Sequence, residues 1–335
     1  MLPNFFHAGV PKSASATVNT LLRNHPEVFL PRQKEPNFFI RDDNFVKGLG
    51  WYVETYFAAA GDARIRGDMS IGHATGFGFD AIDRIAGLME APPKILLTFR
   101  DPIARAFSQY GMARDKGQLD RLDFAAAIDR ALAAGPAINK ADRRRARTGT
   151  YYASDADMDV YRWCMYVEPG HYADIYEAWA GTFGTDNVLV LLTEDLASDL
   201  QGQADSLCDF LGIARRPVEA GTRANTATGL RYPALRRMLN RLYALGPLRR
   251  VLNRPELMQL RKMLRRRLLS ANYVPVEGRS GPDPATVERL RAHYAPQVER
   301  LETLLGRDLS RWRGDAAFKT VSGGDAATRP GAAPW

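Results

Sequence analysis

Short apolar segments alternate with amphipathic segments along most of the chain, and this alternation constrains the fold more than any other feature. Each apolar segment has the length of a buried strand, and each longer segment has apolar residues at helical spacing. The predicted strands are residues 4–10, 28–30, 63–68, 94–100 and 187–192. The predicted helices are residues 13–23, 79–89, 102–114 and 171–183. The pattern predicts an α/β protein with a central parallel sheet flanked by helices.

The chain has 335 residues, which suffices for one large α/β domain. We predict a single domain over residues 1–313. Residues 314–335 are rich in Gly, Ala and Pro without periodicity, which predicts a flexible C-terminal tail.

Residues 229–270 form a basic segment within this predicted domain. They contain twelve Lys or Arg and one acid, Glu256, whereas the whole chain has a formal net charge of only +8. Leucines and methionines recur there at helical spacing, so we predict packed helices with a solvated basic face. A peripheral contact with an anionic membrane is the alternative. Nucleic acid ranks last because the segment lacks a regular interleaving of aromatic residues with the arginines; the oligomeric state stays open.

Several classes of protein are disfavoured by composition. Cys164 and Cys208 are too few for a disulfide framework or a four-thiolate metal site, and no His, Cys or Asp cluster has metal-ligand spacing. No apolar run approaches the length of a membrane helix, and residues 1–10 do not resemble a secretory signal. We therefore expect a cytoplasmic protein without a metal.

Residues 9–17 (GVPKSASAT) lie where the first strand turns into the first helix. Such a turn directs free backbone N–H groups and the positive end of the helix toward one point, which suits a phosphate. Lys12 adds a positive charge, and Ser13 and Ser15 are candidate N-caps. An ordinary strand-helix turn with a solvated lysine is the alternative.

A second anion site is predicted after the strand at residues 94–100. The spacing R-D-P-x-x-R-x-x-S-x-Y places Arg100 at the end of the strand and Ser108 two turns into the following helix. Ligands of open α/β sheets bind at these strand ends. An Arg fork and a hydroxyl form a phosphate site, so the two sites together suggest a nucleotide with phosphates at both ends of its ribose.

The motifs in this order resemble those of the sulfotransferases that use 3′-phosphoadenosine 5′-phosphosulfate (PAPS), particularly the glycosaminoglycan-type (heparan sulfate) and related bacterial enzymes. The resemblance covers roughly residues 4–313 and implies a P-loop-like nucleotide-binding sulfotransferase fold, with PAPS as the donor and no metal. It is carried by KSAS at 12–15, HP at 25–26, KEPNFF at 34–39, KGLGWY at 47–52, residues 100–110, GHY at 170–172 and LGRDLSRW at 305–312.

The resemblance implies a role for individual residues. Lys12 would contact the 5′-phosphosulfate and its bridging oxygen, and Arg100 with Ser108 would bind the 3′-phosphate. Glu35 would take the proton of the acceptor hydroxyl. The amides of the phosphate loop would surround the 5′-phosphate, namely those of Ser13, Ala14, Ser15, Ala16 and Thr17. A looser match assigns a loop over the nucleotide to Arg223, Asn225 and Thr226.

Further acceptor-side candidates follow from position. Asp68 and Ser70 come directly after a predicted strand and are candidates for lining the acceptor pocket. His171 either contacts the acceptor or caps the helix that follows it, and we favour the cap. The alternative for Glu35 is a surface acid paired with Lys34.

The sequence departs from the family pattern at four positions. The phosphate loop usually carries glycine at Ala14 and a hydroxyl at Ala16. Ile40 and Met69 replace a carboxylate and a lysine that the glycosaminoglycan enzymes often have near the acceptor. The departures in the phosphate loop would alter its grip on the 5′ end of the donor. Those at Ile40 and Met69 disfavour a sulfated-polysaccharide acceptor but leave the donor chemistry intact.

The predicted function is transfer of a sulfuryl group from PAPS to a hydroxyl of a carbohydrate, small-molecule or lipid-linked acceptor by in-line displacement, with a carboxylate as general base. One alternative is a P-loop-type nucleotide or small-molecule kinase, whose sheet should carry a magnesium-binding acid where this chain has Arg100. A basic membrane-surface adaptor is a second alternative, which leaves Lys12 and Arg100 unexplained.

Overall fold

The computed structural model of the chain describes residues 1–114, 120–148, 154–219, 228–230, 273–275 and 281–314. The chain divides into two compact units. The larger comprises Met1–Tyr110, Leu122–Ala224 and Ser280–Trp335, and the smaller comprises Gly111–Arg121 and Asn225–Arg279. A single domain over residues 1–313 stays a prediction.

A five-stranded sheet forms the centre of the larger unit. Its strands are β1 (Phe5–Gly9), β2 (Val28–Phe29), β3 (Ile65–Asp68), β4 (Lys94–Phe99) and β5 (Val188–Leu192). They lie in the order β2-β3-β1-β4-β5, and every neighbouring pair is parallel. The predicted α/β class with a central parallel sheet is confirmed, and each of these five strands lies within its predicted segment.

The strands are apolar because helices cover both faces of the sheet. All five residues of β1 are buried, as are five of the six residues of β4. Strands buried on both faces read as continuous apolar runs, which is why these segments were recognisable in the sequence. On one face the core joins strand residues to residues of the helices at 15–23 and 200–211, among them Phe5, Leu96, Leu191, Val18, Leu22, Leu207 and Leu211.

The four predicted helices are present, each with slightly shorter bounds than predicted: α1 (Ser15–Arg23), α4 (Ala81–Leu88), α5 (Pro102–Met112) and α9 (Tyr172–Phe183). Eight further helices occur in the described residues. They are α2 (Asp42–Phe45), α3 (Gly48–Phe57), α6 (Phe124–Ala134), α7 (Lys140–Thr148), α8 (Asp155–Arg162), α10 (Thr193–Ser198), α11 (Leu200–Leu211) and α12 (Pro284–Leu305).

A buried arginine and a tyrosine tie the helices of the second half together. Arg105 of α5 is fully buried and donates to the carbonyl oxygens of Met165 and Tyr166. The hydroxyl of Tyr294 in α12 donates to the carbonyl oxygen of Val167 at 2.9 Å. These bonds satisfy backbone carbonyls of the π-helical turn at residues 163–167 and place α5 and α12 against it.

The smaller unit contains a pair of short antiparallel strands, β6 (Thr228–Leu230) and β7 (Tyr273–Pro275). The first two residues of the basic segment, 229 and 230, belong to β6, whereas the apolar residues at helical spacing that predict its helices begin at Leu235. Its remaining residues lie outside the described residues, as do residues 315–335 of the predicted tail. Among the helices described, none combines the length and the apolar character needed to cross a membrane.

Candidate functional site

The parallel strands bring the segments that carry Lys12, Glu35 and Arg100 to one edge of the sheet. Neighbouring parallel strands end at the same edge, where ligands of open α/β sheets bind. The chain leaves this edge through the loop at 30–37 after β2, residues 69–74 after β3, residues 10–14 after β1 and Arg100 after β4. The order of strands therefore places Glu35 on one side of the phosphate loop and Arg100 on the other.

The phosphate loop has a left-handed backbone at two positions. Lys12 has a φ of 74° and Ala14 a φ of 56°, and α1 begins directly afterwards at Ser15. Alternating left- and right-handed residues direct successive N–H groups toward one point and form an anion-binding nest. No side chain caps α1, and its first turn contains no acidic residue. The amides of residues 15–17 lie at the start of a helix, where they have no intrahelical acceptor.

The predicted N-caps Ser13 and Ser15 are wrong. The N-cap residue is Ala14, whose left-handed backbone differs from the extended conformation in which a serine side chain reaches the first-turn amides. The Ser13 hydroxyl is fully buried and has no hydrogen-bond partner in the described part of the chain. An uncapped helix start beside an unpartnered buried hydroxyl fits a bound anion such as the 5′-phosphate of a nucleotide.

Gly9 allows a close approach at the end of β1. Its φ is +146°, and a Cβ atom there would lie 2.6 Å from the carbonyl oxygen of Ile71 and 3.0 Å from Cβ of Ala74. The amide of Ala74 also donates to the carbonyl oxygen of Ala8 at 2.8 Å. The segment after β3 therefore packs directly on the strand that leads into the phosphate loop.

Arg100 and Ser108 follow β4 as predicted. The carbonyl oxygen of Arg100 accepts a hydrogen bond from the hydroxyl of Tyr172 at 2.7 Å, while Asp101 accepts one from the amide of Ala104 at the start of α5. Burial, with a contribution from Glu194, raises the pKa of Asp101 to about 6. Within the described residues, neither the Arg100 guanidinium nor the Ser108 hydroxyl has a hydrogen-bond partner, so both fit a second phosphate.

The loop at 30–37, which carries Glu35 and is called the acceptor-side loop below, is held by residues at the end of β3. The amide of Asn37 donates to Ser70 Oγ at 2.9 Å, and the amide of Ser70 donates to Asp68 Oδ1 at 2.8 Å. The hydroxyl of Tyr52 donates to Asp68 Oδ2 at 2.5 Å. Asp68 and Ser70 are both fully buried, so in this structure they support the loop that carries Glu35, and lining of the acceptor pocket by them stays a prediction.

Glu35 lies in a partly buried position beside two charged groups. Its side chain is 38% exposed, and Oε1 lies 4.0 Å from Nζ of Lys34. Burial raises the pKa of Glu35, the Lys34 charge opposes this, and Asp68 adds a further upward shift. A raised pKa suits a group that accepts a proton near neutral pH. The pairing with Lys34 is also present, so both sequence interpretations of Glu35 are compatible with this geometry.

Two buried histidines lie beneath the loops. Nε2 of His7 forms a hydrogen bond with Thr98 Oγ1 at 2.9 Å. Burial, followed by the charges of Lys34 and His73, lowers the pKa of His7 to about 3. Burial also lowers the pKa of His73, whose two ring nitrogens have no partner in the described residues. Both rings are therefore neutral at physiological pH.

His171 has a different environment from the one predicted. It occupies the N-cap position of α9 but its side chain makes no capping hydrogen bond. Its Nε2 instead lies 2.8 Å from Nε2 of His293 on α12, and burial, followed by the charge of His293, lowers its pKa to about 4. The favoured capping role is wrong because the imidazole pairs with α12 and does not reach the first-turn amides of α9.

Some predictions are not addressed by the described residues. Arg223, Asn225 and Thr226, assigned to a loop over the nucleotide, lie outside them. In the described ranges no three His, Cys, Asp or Glu side chains form a cluster able to bind a metal ion. Ile40 and Met69, the two departures on the acceptor side, are both buried in the interior, Met69 completely.

From the sequence, Lys34 was considered only as an ion-pair partner of Glu35. Its Nζ donates to Ser15 Oγ at 3.0 Å, so it connects the acceptor-side loop with the phosphate loop. A lysine directly before the candidate base was the available signal. The contact itself joins residues far apart in the sequence and depends on the strand order.

The chain is similar in sequence to known proteins. The Sulfotransferase domain family matches residues 2–225. Mouse heparan sulfate glucosamine 3-O-sulfotransferase 3B1 is 26% identical over 216 residues, which is 64% of this chain and 47% of that protein. Mouse bifunctional heparan sulfate N-deacetylase/N-sulfotransferase 4 is 27% identical over 221 residues, or 63% of this chain and 22% of that protein. The matches thus span about half or less of the length of these relatives.

A solved structure supports the same fold. The crystal structure of a sulfotransferase from Alicyclobacillus acidocaldarius superposes with a TM-score of 0.60 at 22% identity and covers 94% of this chain and 100% of that one. The agreement extends over nearly the whole chain, and at this identity it bears on the fold alone.

Proposed function

Because the chain belongs to the Sulfotransferase domain family, we propose that it transfers a sulfuryl group from PAPS to a hydroxyl of a carbohydrate, small-molecule or lipid-linked acceptor. The observation that carries this proposal is the convergence at one edge of the sheet. An uncapped nest after β1 lies between a partly buried carboxylate after β2 and an Arg-Ser pair after β4. The heparan sulfate relatives favour a glycan acceptor, and the buried Ile40 and Met69 leave its charge open.

Each group has a defined task in this proposal. Lys12 and the first amides of α1 bind the 5′-phosphate and stabilise the negative charge that gathers on it as the sulfuryl group departs. Arg100 and Ser108 bind the 3′-phosphate and fix the position of the nucleotide. Glu35 accepts the proton of the acceptor hydroxyl. PAPS supplies the sulfuryl group, and the residues supply alignment and charge without a covalent intermediate.

Calorimetry with 3′-phosphoadenosine 5′-phosphate tests the donor site. We expect binding without added metal, and weaker binding of adenosine 5′-phosphate, which lacks the 3′-phosphate. Arg100→Ala should weaken binding of the bisphosphate by about 1.5–3 kcal/mol, the size of a lost charge-assisted hydrogen bond. Arg64→Ala, which removes an exposed arginine just before β3 at the opposite edge of the sheet, is the matched control.

Equal affinity for the two nucleotides would contradict the 3′-phosphate site. Transfer is then measured as release of the bisphosphate from PAPS with a panel of neutral and anionic glycans, phenols and lipid-linked hydroxyls. A phosphoryl transfer that depends on Mg²⁺ and nucleoside triphosphate, without sulfuryl transfer, would favour the kinase alternative.

A further inference from the structure

Lys34 connects the two halves of the candidate site. Its Nζ donates to Ser15 Oγ at 3.0 Å and lies 4.0 Å from Oε1 of Glu35. Ser15 is the first residue of α1, so its amide and hydroxyl belong to the anion nest. The ammonium group of Lys34 therefore lies between the nest and the carboxylate proposed as the base.

The charge of Lys34 is only partly balanced by the protein. Its side chain is 31% exposed, and in the described part of the chain Glu35, at 4.0 Å, is the one carboxylate within ion-pair distance. A direct hydrogen bond to the neutral Ser15 hydroxyl does not offset the charge. An ammonium group in this position stabilises an additional anion, because partial burial strengthens its electrostatic interactions.

The buried histidine near Lys34 carries no positive charge that could bind this anion. His7 is fully buried and neutral, with its Nε2 engaged by Thr98. The charge of Lys34 is itself one cause of the depressed pKa of His7, after burial, so the two side chains are close in space. Lys34 is thus a cation of the loop at 30–37 that directly contacts the nest, through Ser15 Oγ.

We propose that Lys34 is a second donor-binding lysine, which contacts the 5′-phosphosulfate from the acceptor side, opposite the polypeptide segment that carries Lys12. The inference rests on the proposed function. In the transfer, the acceptor oxygen bonds to sulfur while the bond from sulfur to the bridging oxygen breaks. The acceptor proton passes to Glu35, and the electron pair of the broken bond stays on the departing phosphate. Lys34 stabilises that phosphate and, before transfer, favours the ionised form of Glu35 at a distance of 4.0 Å.

A comparison of two nucleotides isolates the proposed contact. Calorimetry with 3′-phosphoadenosine 5′-phosphate and with adenosine 3′-phosphate, which lacks the 5′-phosphate, is performed on the full chain and on Lys34→Gln. We expect Lys34→Gln to bind the bisphosphate with about 10-fold lower affinity than the wild-type chain. Its affinity for the 3′-monophosphate should equal that of the wild-type chain. Lys34→Arg should recover most of the loss because it restores the charge.

Two controls separate this result from a general disturbance. Lys94→Gln removes a lysine that lies at the other end of β4, where its Nζ donates to the carbonyl oxygen of Asp186, and should leave both affinities unchanged. Arg100→Ala should lower the affinity for both nucleotides, because both carry the 3′-phosphate.

The outcomes distinguish this inference from the proposed function. If Lys34→Gln lowers the affinity for both nucleotides equally, or changes neither affinity, the proposed contact between Lys34 and the 5′-phosphate is wrong. If the unchanged chain binds neither nucleotide, the donor site itself is wrong and the proposed function fails with it.

Discussion

Among single residues, Glu35 has the environment that most affects the proposed chemistry. Burial and Asp68 raise the pKa of its carboxyl, while Lys34 lowers it. Pro36 follows it and restricts its backbone to extended conformations, and Asn37 and Gln33 both donate to its carbonyl oxygen, at 3.1 and 2.9 Å. The backbone that carries the carboxylate is therefore held on both sides, as a general base requires.

We predict that Glu35→Gln lowers kcat by roughly 10²–10⁴-fold, the usual effect of losing a general base. The amide keeps the shape of the side chain, so binding of 3′-phosphoadenosine 5′-phosphate should be nearly unchanged. In the unchanged chain kcat should fall as the pH decreases through the raised pKa of Glu35, and this acid limb should disappear in the variant. A pH series of initial rates measures both effects.

Glu54→Gln provides the control, because Glu54 is an exposed residue of α3 with the same side chain. Its rate and pH profile should match those of the unchanged chain. A nearly full rate in Glu35→Gln would remove Glu35 from the mechanism and direct attention to His7, Asp68 and His171 in that order.

At the scale of elements, the turn between β1 and α1 places an alanine in a backbone conformation that alanine disfavours. Ala14 adopts a left-handed φ of 56°, which costs an ordinary L-residue roughly 1–2 kcal/mol and a glycine nothing comparable. Ala16, two residues later, lies in the first turn of α1 with a right-handed helical backbone. The same substitution should therefore have opposite effects at the two positions.

We predict that Ala14→Gly raises the free energy of unfolding by about 0.5–1 kcal/mol, since relief of strain exceeds the entropic cost of glycine. Ala16→Gly should lower it by a similar amount because glycine disfavours helix. Urea unfolding followed by circular dichroism measures both. The same sign at both positions would contradict the left-handed backbone at Ala14.

At the scale of the whole molecule, the contact between α9 and α12 joins chain segments more than a hundred residues apart. His171 and His293 meet there with their Nε2 atoms 2.8 Å apart, Trp163 packs against both rings, and the charges of Asp174 and Arg105 act on His171. Burial lowers the pKa of both histidines, that of His171 to about 4. The pair therefore favours the neutral state and makes stability depend on pH.

We predict that the free energy of unfolding decreases as the pH falls from about 6.5 toward 4. In this range the unfolded chain binds protons that the native pair excludes, so stability is complete above the unfolded pKa and is lost progressively below it. The slope approaches about 1.4 kcal/mol per pH unit for each excluded proton and is reduced by partial exposure. His293→Gln, which removes one titrating group, should lose less stability between pH 7.5 and 5.5. Urea unfolding at both pH values tests this, and identical pH dependence in the two proteins would contradict it.

The sequence by itself determined the parallel α/β architecture, because strands buried on both faces are apolar throughout and their periodicity differs from that of the helices between them. It also determined the positions of the Lys12 loop and of Arg100, since a strand end followed by a helix start is recognisable from local residues. The eight helices α2, α3, α6, α7, α8, α10, α11 and α12 were not predicted. The helix α7, with the sequence KADRRRART, has almost no apolar face, and ion pairs such as those of Arg147 with Asp42 and Asp80 hold it in place.

Only the tertiary structure decided which polar groups meet. The order β2-β3-β1-β4-β5 places Lys34 at Ser15, and the packing of α12 on α9 pairs His293 with His171. Neither contact has a local signature, because each depends on strand order or helix packing between distant segments. The left-handed backbone at Ala14 was likewise not predicted from the sequence, since alanine prefers the right-handed region and adopts the other only where the surrounding fold requires it.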